Sequence, residues 1–200
     1  MDLRLGFLAS HGGSNFQAIL DACREGRLRA EPRVLVSNNA KSGALQRAER
    51  EDLPAYKIND TTHDDPDSRD AAIAERLHEH DVNLVCLAGY MKKVGPPLLS
   101  AFPGRILNVH PSLLPRHGGP GCFGRRVHEA VLAAGDTTSG VSVHLVDEEY
   151  DRGDVLAQAE VPVLPGDDPD TLAARVLEQE HRLYPAVLQQ IADGTLELPS

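Results

Sequence analysis

The strongest constraint on the fold of this 200-residue chain is a regular alternation of short apolar runs with stretches of helical periodicity. Runs that predict strands cover residues 3–9, 33–36, 55–58, 81–88 and 105–108. Stretches that predict helices lie between them, over residues 16–23, 44–51 and 68–80, with a further helical turn ending at Phe102. Because strands joined through helices run parallel, the sequence predicts an α/β fold with a mostly parallel sheet and helices on both faces.

The C-terminal part of the chain departs from this alternation. A helix is predicted over residues 127–134, and two strands follow over residues 139–145 and 155–164 with only an acidic loop between them. That arrangement predicts a hairpin, which adds an antiparallel extension to the sheet. A closing helix over residues 170–191 is expected to kink at Pro185. Without repeats or linkers, we expect one domain over residues 1–200.

Composition excludes several functional classes. A formal net charge of −10 argues against broad nucleic-acid binding, which needs a basic surface. No apolar window is long enough to span a membrane, and the N-terminus lacks a signal-peptide pattern, so we expect a cytoplasmic protein without a membrane partner. Three widely separated cysteines, Cys23, Cys86 and Cys122, indicate neither a disulfide framework nor a metal site.

The segment 108–115, NVHPSLLP, carries the first candidate for catalysis. Asn108 and His110 are two positions apart at a strand end, so their side chains point to the same face, from which both can reach one substrate atom. Taken alone, a polar residue near a strand end is more often a loop hydrogen-bond partner than a catalyst. Pro111 and Pro115 then take the chain out of regular structure. Ligands of parallel sheets bind beyond the C-terminal ends of the strands, which is where this segment lies.

A glycine-rich turn at residues 10–15 follows the first predicted strand and precedes a helix. Backbone N–H groups at such a helix N-terminus favour a phosphate, although a plain tight turn explains the glycines equally well. The turn matches neither the full dinucleotide-binding fingerprint nor a P-loop, so dinucleotide or ATP binding is not indicated.

The acidic loop at residues 147–154 follows another strand and is in a position to deliver a carboxylate to His110. Any one of its residues taken alone is better explained as solvated. A carboxylate opposite an imidazole favours the charged ring, and a charged ring beside an amide suits stabilisation of an oxyanion. No Gly-x-Ser-x-Gly elbow or activated cysteine is present, which favours direct transfer between two bound substrates over an acyl-enzyme.

Several short motifs stand together in an order that is typical of one family. They are LAS at residues 8–10, GSN at 13–15, VSN at 36–38, LAGYM at 87–91, NVHPSLLP at 108–115, VHEA at 127–130, SVH at 142–144 and EH at 180–181. In this order the chain resembles the phosphoribosylglycinamide formyltransferases over essentially its whole length. The resemblance implies a Rossmann-like formyltransferase sheet and transfer of the formyl group of 10-formyltetrahydrofolate to the amine of 5-phosphoribosylglycinamide, the third step of de novo purine biosynthesis.

The resemblance also implies roles for individual residues. The matching catalytic residues are Asn108, His110 and Asp151, with Asp151 keeping His110 protonated and His144 in a supporting position. The matching substrate-binding residues are Gly13, Ser14, Asn15 and Glu180. The matching formyl-folate residues are Arg69, Met91, Lys92, Lys93, Val94, Asn108, Asp147 and Asp151. Formyl-folate is thus expected as co-substrate, and no metal is expected.

Related functions remain as alternatives. A methionyl-tRNA formyltransferase needs a further basic domain for tRNA, which this acidic chain does not supply. A formyltetrahydrofolate hydrolase usually carries an additional N-terminal domain. An inactive nucleotide-binding module of the same fold is disfavoured because Asn108, His110 and Asp151 occur together. We expect small-molecule substrates as partners and leave a homodimer open.

Overall fold

A computed structural model describes residues 2–199, so positions 1 and 200 of the expected domain lie outside the described part. Within residues 2–199, the strands are β1 (Leu3–Ala9), β2 (Ala30–Ser37), β3 (Ala55–Lys57), β4 (Leu84–Leu87), β5 (Ile106–His110), β6 (Thr138–Leu145) and β7 (Val155–Pro162). The helices in the same range are α1 (Ser14–Arg24), α2 (Gly43–Arg50), α3 (Pro66–Glu79), α4 (Pro96–Ala101), α5 (Arg125–Ala133) and α6 (Pro169–Asp193).

All seven strands of the described chain form one sheet in the order β3-β2-β1-β4-β5-β6-β7. The pairs from β3 through β5 are parallel, whereas β6 pairs antiparallel with both β5 and β7. This confirms the predicted α/β class and the antiparallel C-terminal extension. The C-terminal ends of β1, β4 and β5 are therefore neighbours at one edge of the sheet.

Apolar residues pack on both faces of the sheet, as the helix-strand alternation predicts. One cluster packs α1, α5 and α6 against the sheet and includes Phe16, Val131 and Val176. The other packs α3 and α4 against the opposite face and includes Ile73 and Leu98. Helices on both faces cover the central strands, and every residue of β4 is buried.

Several strand boundaries differ from the sequence prediction, and two of these differences have a visible cause. β4 begins at Leu84 instead of residue 81, since Asp81 has a left-handed backbone and the Asn83 side chain accepts a hydrogen bond from Arg4 N–H. β5 continues to His110, because Asn108 and His110 still pair with β6. Asn108 and His110, which we assigned to a strand end, thus belong to a strand that is paired with β6.

The closing helix α6 starts with a capping box made by Asp168 and Thr171 and continues through the buried Pro185. A kink at Pro185 stays a prediction. Among the helices of the described range, none has the length and apolar character needed to cross a membrane.

Candidate active site

A cavity of about 580 Å³ lies beyond the C-terminal ends of β1, β4 and β5, where ligands of parallel sheets bind. Its wall comes from segments that are far apart in the sequence, which the sheet order β1-β4-β5-β6 brings together. The lining residues that the sequence predicted are Gly13, Ser14, Asn15, Met91, Lys92, Lys93, Val94, Asn108, His110, His144, Asp147, Asp151 and Glu180. The predicted candidates therefore converge on one cavity, with the exception of Arg69.

Asn108 is oriented by His144, its partner across the β5–β6 pair. The His144 Nδ1 atom lies 2.7 Å from the Leu145 carbonyl oxygen, which only accepts, so Nδ1 carries the proton. Burial lowers the pKa of His144 and favours the neutral ring, whose Nε2 then accepts the Asn108 Nδ2–H at 3.1 Å. One N–H of the Asn108 amide is thereby fixed, and its second N–H is left for a ligand.

His110 and Asp151 face each other in the cavity wall. The His110 Nδ1 atom lies 3.6 Å from Asp151 Oδ2, which is an ion-pair distance but too long for a hydrogen bond. The His110 Nε2 atom lies 2.9 Å from the His117 carbonyl oxygen and donates to it. The imidazole is therefore held from behind through Nε2, and Nδ1 is the nitrogen that faces the carboxylate.

The loop between β6 and β7 holds Asp151 in a strained position. Asp151 has φ +55°, a left-handed conformation that residues with a side chain rarely adopt. Its Oδ2 atom accepts the Gly119 N–H at 2.9 Å. Gly153 lies against the Leu145 carbonyl so closely that a β-carbon would not fit. Close packing of this loop therefore fixes the carboxylate opposite His110.

The turn that follows β5 is tied to β6 through Ser142, the first residue of the SVH motif. The Ser142 hydroxyl donates to the Ser112 carbonyl at 2.7 Å and accepts the Leu114 N–H at 2.9 Å. The Gln158 side chain donates to the same hydroxyl and to the Leu114 carbonyl. These hydrogen bonds fix the backbone of the residues after His110. Pro111 and Pro115 had indicated that the chain leaves regular structure here.

The glycine-rich turn leads directly into α1. Gly13 has φ +69°, and a β-carbon there would lie 2.7 Å from the Ala44 β-carbon, so the position requires glycine. No side chain caps α1, so its first-turn N–H groups have no side-chain acceptor, and Ser14 and Asn15 of this turn line the cavity. Free N–H groups and the helix dipole make this end of α1 attractive to an anion.

Glu180 projects from α6 toward this turn and is 8% exposed. It accepts the Asn15 Nδ2–H at 2.5 Å. Burial raises the pKa of Glu180 to about 7, although the hydrogen bond from Asn15 favours the ionised form. The Asn15 Oδ1 atom is buried without a partner among the described residues. Both side chains therefore have hydrogen-bonding capacity left for a ligand.

The loop after β4 forms the opposite side of the cavity. The Met91 N–H donates to the Ser10 hydroxyl at 2.8 Å, which joins this loop to the loop after β1. Lys92 forms an ion pair with Asp60, and the Lys93 ammonium lies 5.8 Å from the centre of the Tyr150 ring. Met91 and Tyr150 are large apolar side chains that remain exposed at the cavity.

The structure does not bring Arg69 into the cavity wall. Arg69 is 4% exposed, and its guanidinium donates to Asp70 Oδ1 at 3.0 and 2.8 Å and to the Lys93 carbonyl at 3.2 Å. The Asp70 carboxylate also accepts the Gly95 N–H. Arg69 thus stabilises the loop that contains Met91 and Lys93 without lining the cavity. The direct folate contact that the resemblance implies stays a prediction.

Sequence reasoning missed several residues of the cavity and its support. They are Tyr90, Cys122, Phe123 and Tyr150 in the wall and His117 behind His110. A compositional signal existed for two of them, because the chain has only four Phe and four Tyr residues. Phe123 and Tyr150 fall in glycine-rich and acidic segments where no core requires an aromatic ring. For His117 no such signal exists, since only the fold brings its carbonyl to His110.

Within residues 2–199, no group of three or more His, Cys, Asp or Glu side chains is arranged to hold a metal ion.

Comparison with known proteins points to one family. The family model described as "Formyl transferase" matches residues 3–188. The phosphoribosylglycinamide formyltransferase of Escherichia coli is 40% identical over 194 residues, which cover 96% of this chain and 88% of the relative. The chloroplastic phosphoribosylglycinamide formyltransferase of Vigna unguiculata is 40% identical over 95% of this chain, and the chain spans 61% of that relative's length.

A solved structure agrees with these matches. The glycinamide ribonucleotide transformylase 1 of Symbiobacterium toebii superposes with a TM-score of 0.93 at 42% sequence identity. The match covers 100% of this chain and 92% of the other. The sheet and its antiparallel end therefore belong to a known architecture.

Proposed function

The chain belongs to the formyl transferase family, and from that premise we propose that it transfers the formyl group of 10-formyltetrahydrofolate to the amine of 5-phosphoribosylglycinamide. The products are formylglycinamide ribonucleotide and tetrahydrofolate, and the reaction is a step of purine biosynthesis. One observation carries the proposal: Asn108, His110 and Asp151 meet in the same cavity as an uncapped helix N-terminus. Residues suited to acyl transfer and a helix end suited to an anion thus line the same cavity.

We propose that the phosphate of 5-phosphoribosylglycinamide binds at the N-terminus of α1. Gly13 lets the backbone turn without a side chain, and the N–H groups of Ser14 and Asn15 stand at the positive end of the helix. Glu180 then lies within reach of the ammonium or amide of the glycinamide portion. Its ionised form, which predominates above pH 7, suits that role.

The formyl-folate is assigned to the part of the cavity between the loop after β4 and the loop between β6 and β7. Leu87, Val94 and Val146 supply apolar surface there, and backbone groups near Asp147 supply polar partners. Lys92 and Lys93 stand at the same side and suit the carboxylates of the folate's outer part. These residues fit a flat, partly polar ring system with an anionic tail.

When bound, the formyl-folate supplies an activated formyl carbon on whose oxygen negative charge develops as the amine attacks. The second Asn108 N–H and the His110 Nδ1–H are the donors that stabilise this charge. Asp151 holds His110 in the charged form and takes part in proton transfer from the amine, directly or through water. His144 keeps the Asn108 amide in place, so that its free N–H points into the cavity.

Substitution of His110 by alanine and of Asp151 by asparagine tests the roles. We expect each to lower kcat about 100-fold or more, because each removes a charge that acts on the transition state. Folate affinity should stay within about threefold, since neither side chain carries most of the binding surface. Steady-state kinetics together with equilibrium titration of the folate measure the two quantities.

His63→Ala and Asp154→Asn are matched controls, because both side chains lie outside the assigned machinery. His63 contacts Thr62 in a separate loop, and Asp154 is an exposed residue of the same loop as Asp151. Both controls should keep wild-type turnover. Near-normal turnover in His110→Ala or Asp151→Asn would exclude the assigned roles.

A single domain over residues 1–200, a cytoplasmic location and a homodimer stay predictions.

The hydrolase reaction, in which water replaces the amine, is the second candidate function. A hydrolase consumes 10-formyltetrahydrofolate without 5-phosphoribosylglycinamide, whereas the transferase requires both substrates.

A further inference from the structure

The ring that carries most of the proposed chemistry is held by a group outside the cavity wall. His110 Nε2 donates to the His117 carbonyl at 2.9 Å, and this fixes which nitrogen faces Asp151. If the carbonyl moved, the charged imidazole would lose the acceptor of its Nε2–H and would be free to rotate away from Asp151. The position of one peptide group thus determines the orientation of the His110 ring.

That peptide group belongs to a residue in an unfavourable conformation. His117 has φ +54°, which a residue with a large side chain adopts only when surrounding contacts enforce it. One contact that holds this segment lies on the His117 side chain, whose Nε2 is 2.7 Å from Asp136 Oδ2. A second is the Ser112 hydroxyl, which donates to the Arg116 carbonyl at 2.7 Å. The other oxygen of Asp136 binds Arg116 Nη2 at 2.5 Å.

Asp136 is well placed to hold Arg116 and His117 in position. It lies in the turn between α5 and β6, outside the cavity wall, and its side chain is only 10% exposed. The His117 ring and the Arg116 guanidinium both lower the pKa of Asp136, so the carboxylate is ionised. Its two oxygens hold two consecutive residues of the segment that passes behind His110.

The same segment also contacts the second member of the catalytic pair. Two residues after His117, the Gly119 N–H donates to Asp151 Oδ2 at 2.9 Å. Gly118 between them has no space for a β-carbon, because Leu114 and the Asp151 side chain pack against it. The segment 117–119 therefore accepts from His110 and donates to Asp151 within three residues.

We propose that Asp136 is a positioning residue for formyl transfer. Through His117 it holds the segment 117–119 in the conformation that sets both the orientation of the His110 ring and the position of the Asp151 carboxylate. This inference rests on the proposed function, because it gives Asp136 its effect through the two residues that act on the formyl group. Arg116 is 64% exposed and serves as a secondary partner of the carboxylate.

The test compares Asp136→Asn with Asp193→Asn, which removes a carboxylate from a surface ion pair with Arg29. In Asp136→Asn, kcat should fall about tenfold while KM for both substrates stays within about twofold, because positioning affects the transition state more than binding. In Asp193→Asn both constants should equal those of the wild type. Nitrogen-15 NMR of the histidine rings gives a second readout that needs no substrate.

In the wild type the His110 Nε2–H proton should show the downfield chemical shift of a hydrogen-bonded imidazole N–H, and in Asp136→Asn this shift should be lost. A kcat within about twofold of the wild type, or a wild-type Nε2–H shift in Asp136→Asn, overturns the inference. If the wild type fails to transfer formyl, the proposed function is wrong, and the NMR comparison still decides the role of Asp136.

A second pair of variants guards against loss of folding in Asp136→Asn. Both His117→Asn and His117→Leu remove the imidazole that contacts Asp136, but asparagine tolerates a left-handed backbone far better than leucine. If the backbone conformation matters, kcat of His117→Leu should be at least about fivefold below that of His117→Asn. Equal kcat values for the two variants contradict the proposal.

Discussion

At the scale of single residues, the site is defined by protons whose positions follow from hydrogen-bond partners. The His144 ring is neutral because it is buried, and its Nδ1–H is used by the Leu145 carbonyl. A neutral His144 accepts from Asn108 and does not compete with His110 for the negative charge of Asp151. Two histidines that contact the same carboxylate thus differ in their other partners: His144 orients Asn108, and His110 is held by the His117 carbonyl.

Glu180 gives a pH-dependent prediction at this scale. Its folded-state pKa is raised from the usual 4.5 to about 7, so the folded protein favours the uncharged carboxyl. Its contribution to stability is therefore fully present below about pH 4.5 and is lost as pH rises to about 7. We expect Glu180→Gln to match the wild type near pH 4.5 and to exceed it by up to about 3 kcal/mol at pH 8.

Unfolding by denaturant at several pH values measures this difference in the free energy of unfolding. Glu178→Gln is the matched control, since Glu178 is exposed on the same helix two positions earlier. The control should show no pH-dependent gain. A Glu180→Gln variant whose stability runs parallel to that of the wild type from pH 4.5 to 8 would show that Glu180 is not held uncharged.

At the scale of elements, the start of α1 combines a turn that requires glycine with an uncapped helix end, where we propose that the phosphate binds. Gly13→Ala should reduce stability by about 1–3 kcal/mol, because alanine at φ +69° is strained and its β-carbon meets Ala44. It should also raise KM for 5-phosphoribosylglycinamide about tenfold, since the N–H groups lose their direction. Folate affinity should be unchanged.

Gly12→Ala is the control for adding a methyl group to this turn. A β-carbon at Gly12 meets nothing within 4 Å, so its stability should stay within about 0.5 kcal/mol of the wild type. Thermal unfolding and substrate kinetics of both variants provide the measurement. If Gly13→Ala binds the phosphorylated substrate as tightly as the wild type, the anion site lies elsewhere.

Elements also show how far sequence reasoning reaches. Apolar periodicity predicted the strands and helices, because burial of one face leaves a pattern that is local in sequence. It misjudged the start of β4, since the turn at Asp81 depends on contacts with Arg4 from another strand. The bond from Asn15 to Glu180 joins residues 165 positions apart, and no local pattern encodes such a pair.

At the scale of the whole molecule, the sheet order makes the site. β1, β4, β5 and β6 are neighbours in space but not all in sequence, and their ends place the glycine-rich turn, the loop after β4, and His110 with Asp151 around one cavity. The resemblance in short motifs anticipated most of the wall, because those motifs sit at these strand ends. It did not anticipate the contact between Asp136 and His117, which depends on the folded path of residues 116–119.

The central claim is direct transfer between two substrates held in this cavity. It is tested by 10-formyltetrahydrofolate labelled with carbon-13 in the formyl group, incubated with the purified protein in the presence and absence of 5-phosphoribosylglycinamide. The label should appear on the glycinamide nitrogen in step with tetrahydrofolate, and only when both substrates are present. Release of labelled formate at the same rate without 5-phosphoribosylglycinamide would contradict the account and identify a hydrolase.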